Sequence, residues 1–162
     1  MSVEIRLARS DELVRIGEIT ETAYAAFTLG PADPYVAKLR DAASRATEAQ
    51  LWVADDTGAV LGNVTWCPNG SIWREISRPD EGEFRMLAVA PEAQGRGVGE
   101  ALARHCIALS RAAGHRGMVL SSLEDMTAAH RLYGRLGFSR RAERDWSPAP
   151  GVQLIAFELP YA

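Results

Sequence analysis

Read for the spacing of its apolar positions, the 162-residue chain divides into stretches of period two and stretches of helical period. Residues 3–7 alternate apolar and polar, as a half-buried strand does. Ser10 is placed to cap a helix, with Asp11 and Glu12 at its positive end. Leu13, Ile16, Gly17, Thr20, Ala23, Tyr24 and Phe27 then recur at helical spacing until Gly30 and Pro31. Pro34 opens a second helix over about residues 35–47, with Val36, Leu39 and Ala43 along one side. Residues 51–54 and 60–66 read as strands about the turn Asp55-Asp56-Thr57-Gly58. The segment 67–82 is a long loop; such length fits a functional loop, with disorder as the alternative.

A strand follows at 83–89, then a glycine-rich turn and a helix over 97–113. Its apolar stripe is Val98, Leu102, Cys106 and Leu109, and Gly114 suits its C-terminal cap. Residues 118–123 form a strand with little polar interruption, hence a central one. A short helix over 126–136 stops at Gly137, and 138–141 and 153–159 are set to pair as a closing hairpin. The pattern predicts an α+β protein with a mixed sheet, antiparallel hairpins first and β-α-β units after. There is no internal repeat or linker, so residues 1–162 read as one domain.

Composition changes this picture little. Hydrophobic content of 47% and charged content of 24% are ordinary for a globular chain, and at this length a core needs no metal or disulfide staple. Cys67 and Cys106 lack ligand spacing and read as free thiols of a reducing compartment. A net charge of −3 argues against nucleic acid as the main partner, which requires a basic face. It is compatible with a cationic substrate. No run approaches the ~20 apolar residues of a membrane span, and the acidic start lacks a signal-peptide core. The expectation is a cytoplasmic protein with no membrane partner.

The chemistry concentrates in Glu83 to Glu100. A strand reaches Pro91, and Gln94-Gly95-Arg96-Gly97-Val98-Gly99 leads straight into an amphipathic helix. Glycines allow backbone N–H groups to turn inward, and the first helical turn leaves amides unpaired under a partial positive charge. Together they make a site for a phosphate or pyrophosphate, supplemented by Arg96. The P-loop is excluded because no Lys follows these glycines. The dinucleotide fingerprint is excluded because its third glycine would fall on Glu100 or Leu102.

Gln94-x-x-Gly97-x-Gly99 resembles the Q/R-x-x-G-x-G/A signature of the GNAT N-acetyltransferase superfamily. Arg85 to Pro91 resembles that family's pyrophosphate-adjacent strand, and Ala129-His130-Arg131-Leu132-Tyr133-Gly134-Arg135-Leu136-Gly137-Phe138 its A-x-x-L-Y-x-x-x-G-F element. The resemblance implies a mostly antiparallel sheet of about seven strands with about four helices, splayed at the motif strand. It implies acetyl-CoA as co-substrate, no metal, and transfer of the acetyl group to a primary amine of a small molecule or peptide. Homodimers are common among similar proteins. Backbone groups of Leu87 and Val89, flanking Ala88 beside a bulge, would bind the pantetheine arm. Amides of Gly95, Arg96, Gly97, Val98, Gly99 and Glu100 would hold the pyrophosphate beside Gln94. Met126 stands where the family often carries a cofactor-contacting Asn.

For the reaction, Glu83 is the candidate general base, with Glu81 and a water chain as competitors, and Tyr133 the candidate acid for the departing thiolate. The Leu87 amide is a candidate donor to the acyl oxygen. Unbroken strand alternation would put Glu83, Arg85 and Leu87 on one face. The three histidines read as surface or packing residues, Trp52 and Trp66 as core, and Trp73 and Trp146 as candidate substrate walls. Arg140, Arg141 and Arg144 with Glu143 and Asp145 read as a solvated surface. Two rivals stand beside this reading: a non-catalytic acyl-CoA-binding or regulatory module, and a toxin-type acetyltransferase of charged tRNA using a patch of Arg135, Arg140, Arg141 and Arg144.

Overall fold

The computed structural model describes residues 3–162. Eight strands form one open sheet: β1 Glu4–Leu7, β2 Gln50–Asp56, β3 Ala59–Trp66, β4 Glu81–Val89, β5 Gly117–Leu123, β6 Ser139–Arg140, β7 Trp146–Ala149 and β8 Val152–Pro160. Five helices cover it: α1 Leu13–Tyr24, α2 Pro34–Arg40, α3 Ala42–Glu48, α4 Val98–Ala112 and α5 Thr127–Arg135. The spatial order is β1-β2-β3-β4-β5-β8-β6, with β7 also on β8, and only β4–β5 is parallel. The mixed, mostly antiparallel sheet expected from the motifs is therefore present, with one more strand and one more helix.

Each addition has a local cause. The expected second helix breaks at Asp41, which leaves helical geometry (φ −80°, ψ 68°) and accepts the Ser44 amide at 3.0 Å, capping α3. The closing hairpin becomes three strands because β8 is long enough to pair with β5 along one edge and with β6 and β7 along the other. Ser10 does not cap α1: Ser10–Glu12 is a 3-10 turn, and Glu12 reaches back to the Arg9 amide at 2.8 Å.

The core lies between the sheet and the helices. Helix α4 packs on one face against β2, β3, β4 and β5, and α1 and α3 on the other. Gly62 permits the close approach of α4, since a Cβ there would meet the Ala88 carbonyl at 2.7 Å and Val98 at 3.1 Å. Trp66 is buried as expected, whereas Trp52 is only half-buried and lies against the tilted ring of His105, 4.2 Å between centroids. A smaller cluster of Leu39, Cys67, Trp73 and Met86, joined by Tyr24 and Tyr35, forms a second apolar floor on the α1–α2 side.

Candidate active site

The sheet opens at β4. Its parallel pairing with β5 covers only Glu81 to Glu83, opposite Gly117 to Val119; beyond that, β5 pairs with β8 alone. On its other side β4 stays with β3, but the register slips: Thr65 faces Arg85 and Asn63 faces Ala88. Two residues of β3 thus span three of β4. The additional residue is Met86, held at φ 53°, a left-handed conformation that a side chain rarely adopts. Its burial in the second cluster holds it there.

The bulge reverses the alternation, so Leu87 leaves the face shared by Glu83 and Arg85, contrary to the unbroken pattern expected. The Ala90 N–H donates to Leu61 at 2.8 Å across the β3 ladder. Counting back by twos, Ala88 also faces β3, while the peptide groups of Leu87 and Val89 face the gap. Ala88 itself is 2% exposed and is not brought to the opening. Tyr24, half-buried, donates its hydroxyl to the Leu87 carbonyl at 3.4 Å.

Beyond β4, Pro91–Ala93 makes a single 3-10 turn, and Gly97 at φ 78° is the N-terminal cap of α4. The first backbone bond of the helix runs from the Ala101 N–H to the Gly97 carbonyl at 3.0 Å, so the amides of Val98, Gly99 and Glu100 precede any intrahelical acceptor. A Cβ at Gly95 or Gly97 would meet no atom within 4 Å, so the space beside these glycines is open. Arg96 lies 3.6 Å from Asp56, and the Glu100 carboxylate is drawn aside by Arg104 at 3.2 Å and Arg135 at 3.8 Å. Gln94 is exposed at the rim. This donor set suits a diphosphate.

Tyr133 is boxed at the same opening. Phe84, the first residue past the parallel pairing, lies edge-on at 6.1 Å between ring centroids, with Phe138 and Phe157 each at 5.8 Å. The Gly137-Phe138 ending explains the box. Gly137 at φ 99° turns the chain under α5, the Phe138 amide donates to the Tyr133 carbonyl at 2.9 Å, and its ring returns beneath the tyrosine. Burial pushes the Tyr133 phenol above its ordinary range, so it remains a proton donor at neutral pH. Met126, at the N-terminal end of α5, is half-buried and caps it with no side-chain bond.

Glu83 is placed differently from a solvated strand-end residue. It is fully buried, and its Oε1 accepts from the amides of Glu75 at 3.0 Å, Ile76 at 3.3 Å and Ser77 at 3.2 Å, and from the Ser77 hydroxyl at 2.7 Å. The other carboxylate weighed as base, Glu81, receives both terminal nitrogens of Arg144 at 2.8 Å. The loop between β3 and β4 is correspondingly ordered. Arg74 donates to the carbonyls of Cys67, Arg78 and Glu81, and Asn69 meets His115 Nε2 at 2.8 Å. Arg144, expected on a solvated surface, is 10% exposed and bridges Glu81, Glu158 and the Ile76 carbonyl. Arg140 pairs with Asp145, and Arg141 with Glu158. Every arginine of the proposed tRNA patch therefore has a carboxylate partner.

On the α1–α2 side a cleft of about 190 Å³ is lined by Lys38, Ile72, Trp73 and Arg85. The Nε of Arg85 meets Glu75 at 3.1 Å, its Nη1 donates to the Trp73 carbonyl at 3.2 Å, and the guanidinium lies 5.2 Å from the Trp73 ring centroid. Trp73 thus lines the cleft. Trp146 instead donates to the Ser121 hydroxyl at 3.0 Å near the end of β5. Tyr24 and Tyr35 connect the cleft to the gap, since the Tyr24 phenol senses both Tyr133 and Tyr35. The sequence carried no sign of Tyr24, Tyr35 or Glu75 as site residues beyond their helical or loop spacing. Among the described residues no group of His, Cys, Asp and Glu is placed to hold a metal, and no helix is long and apolar enough to cross a membrane.

This geometry has counterparts among known proteins. A mycothiol acetyltransferase of Cellulomonas flavigena is 31% identical over 139 residues, covering 75% of this chain and 40% of that protein. An N-acetylaspartate synthetase of Danio rerio is 31% identical over 72% of this chain and 40% of its own. The chain thus spans well under half the length of these curated relatives. A GCN5-related N-acetyltransferase of Kribbella flavida superposes with a TM-score of 0.72 at 26% identity, covering 98% of both chains. The PaiA N-acetyltransferase of Thermoplasma acidophilum, solved with coenzyme A, gives 0.71 at 16% identity over 99% of this chain and all of that one. The family described as acetyltransferase (GNAT) matches residues 16–138, from α1 through the Gly137-Phe138 turn, and the chain belongs to that family.

Proposed function

We propose that the protein transfers the acetyl group of acetyl-CoA to a primary amine, by direct attack with both reactants held at the gap between β4 and β5. One observation carries the reading: β4 peptide groups released from the ladder, the unpaired amides of α4 and the phenol of Tyr133 meet at a single opening. Acetyl-CoA supplies the activated acyl group and a thiolate leaving group. The chain supplies the rest. Amides from Gly95 to Glu100 hold the diphosphate with Gln94 and Arg96 at the rim, and the backbone of Val89 holds the pantetheine arm. The Leu87 N–H donates to the acyl oxygen as charge builds there, a type of contact worth about 10²–10³ in rate. Tyr133 protonates the departing sulfur. Positioning two reactants in one gap can add up to about 7–11 kcal/mol.

The amine must lose a proton before it attacks. Glu83 and Glu81 both have carboxylate oxygens engaged by donors of the protein. That favours proton loss from the amine to solvent in the cleft, with Glu83 anchoring the loop that forms the cleft wall. A Glu83→Gln enzyme should therefore keep the acidic limb of its pH–rate profile; loss of that limb would restore Glu83 as the base.

The relatives' names extend to mycothiol and N-acetylaspartate and so do not choose the acceptor. Binding is tested first: acetyl-CoA at 100 times its Kd should stabilise the fold by about 2.7 kcal/mol. An amine panel assayed for CoA release and product mass then tests transfer. No affinity for coenzyme A or its thioesters would remove the assignment, and binding without release would favour the non-catalytic module.

A further inference from the structure

Two residues of β3 stand on either side of the bulge, Asn63 opposite Ala88 and Thr65 opposite Arg85. Strand alternation puts both side chains on one face of β3. There one nitrogen serves both: Arg45 Nη1, from α3, donates to Asn63 Oδ1 at 3.2 Å and to Thr65 Oγ1 at 3.1 Å. Asn63 is steadied from α1, where its Nδ2 donates to Thr20 Oγ1 at 3.0 Å and Thr20 donates to the Ile16 carbonyl at 2.9 Å. Arg45, Asn63, Thr65 and Thr20 are all fully buried.

The second arm of the guanidinium reaches the floor beneath the bulge. Nη2 donates to the Leu39 carbonyl at 3.0 Å. The break at Asp41 leaves that carbonyl in the last turn of α2, where a helix has no internal donor for it. Leu39 belongs with Cys67 and Trp73 to the apolar cluster that holds Met86. One planar fork therefore ties the β3 positions flanking the bulge to the helix end that supports the bulged residue. Asp41 acts on Arg45 electrostatically, yet the three hydrogen-bond acceptors are an amide oxygen, a hydroxyl and a carbonyl, and Nε has no partner. Stability alone does not account for an arginine here, since well-packed apolar residues often replace buried ions without loss. An apolar side chain cannot hold three acceptors in fixed places.

Resting on the proposed acetyl transfer at this gap, we infer that Arg45 is a positioning residue for the reaction. By holding Asn63, Thr65 and Leu39 it keeps the additional residue of β4 at Met86, and so keeps the peptide groups of Leu87 and Val89 turned to the gap. It touches neither reactant; it acts through the phase of the strand. The amides of Gly95 to Glu100 are set by the turn before α4 and stand outside its reach.

The test uses the intact chain and reads the strand directly. Backbone chemical shifts and the HN–Hα coupling of Met86 report its φ, and with four methionines in the chain a methionine-labelled sample isolates the signal. Arg45→Met, of similar length and helix propensity, should move Met86 out of the left-handed region in the free protein. It should weaken coenzyme A binding by about tenfold or more and lower kcat. Adenosine 3′-phosphate 5′-diphosphate, which has the diphosphate but no pantetheine arm, should change by less than about twofold. Thr65→Val is isosteric and suited to a strand. It removes one acceptor and should shift both readouts the same way by less, and it decides the question if Arg45→Met does not fold. Ile155→Ala, in the core of β8 two strands from β4, controls for lost stability and should move neither readout. The inference is overturned if Met86 keeps its left-handed φ in the folded variants, if both ligands weaken alike, or if Ile155→Ala reproduces the shift. Should the unaltered protein bind no coenzyme A, the acetyl-transfer reading is removed, and the φ of Met86 still judges the hold of Arg45 on the bulge.

Discussion

The glycine turn before α4 and the cleft on the α1–α2 side are built by opposite means. The turn is local: Gln94 to Glu100 are consecutive, and their donors are peptide N–H groups that exist whatever the side chains. The cleft is assembled from α2, from the loop between β3 and β4, and from β4 itself, and it works through side chains. A site made of backbone can be shared by a whole family, because any sequence with glycines in place can form it. A site made of distant side chains can change with each protein. On the proposed reading, the first fixes the donor and the second chooses the acceptor.

Substitutions can break this division or sharpen it. The largest effect belongs to the chemistry between the two regions. Tyr133→Phe keeps the ring in its aromatic box and removes only the hydroxyl, so kcat should fall by about 10²-fold while stabilisation by acetyl-CoA persists. Unchanged turnover would remove Tyr133 from the mechanism. Gly97→Val places a β-branched residue at φ 78°, a strain of about 1–3 kcal/mol. KM for acetyl-CoA should rise about tenfold or more in steady-state kinetics, with the acceptor KM little changed; a rise confined to the acceptor would merge the two sites.

Glu83→Gln acts on the other side. It retains an acceptor oxygen but loses the charge that strengthens the loop's hydrogen bonds, a loss of about 1–2 kcal/mol. The acceptor KM should rise several-fold while that for acetyl-CoA holds; equal effects on both would contradict the separation. The smallest effect is one of pH. Burial holds His115 below its ordinary range, so the folded state disfavours its protonation. Stability from this group is present above about pH 6.5 and is lost as pH falls through the lower folded value. Because His115 holds Asn69 of the loop, hydrogen-exchange protection at residues 69–77, taken relative to the intrinsic rate at each pH, should fall from pH 7 to pH 5, and less so in His115→Gln. Equal loss of protection throughout the chain would dismiss the link.

The sequence could be read where structure is local. Glycines at 95, 97 and 99, the stripe of α4 and the Leu-Tyr to Gly-Phe ending of α5 each act within a few residues, and each element lies near its expected place. The break at Asp41 was also local, an Asp three residues before Ser44, but the helical period ran through it. Glu83 could not be read, because its partners are amides of a loop whose path has no residue code. Arg144 resembled a surface residue because charge usually lies there, and its partner Glu81 is 63 positions away. The bulge was expected only through the family resemblance, and no residue marks it: Met86 is neither Gly nor Asn, and its left-handed backbone is imposed by packing around it.

That single methionine sets the phase of everything after it in β4. Were it paired as an ordinary strand residue instead of bulging, Leu87 and Val89 would turn their peptide groups into the β3 ladder, and Ala88 would take their place at the opening. Every atom thought to meet the thioester would still be encoded, yet the strand would present the wrong edge. What this strand offers the gap is therefore decided by the backbone shape of one residue as much as by the identities of its neighbours.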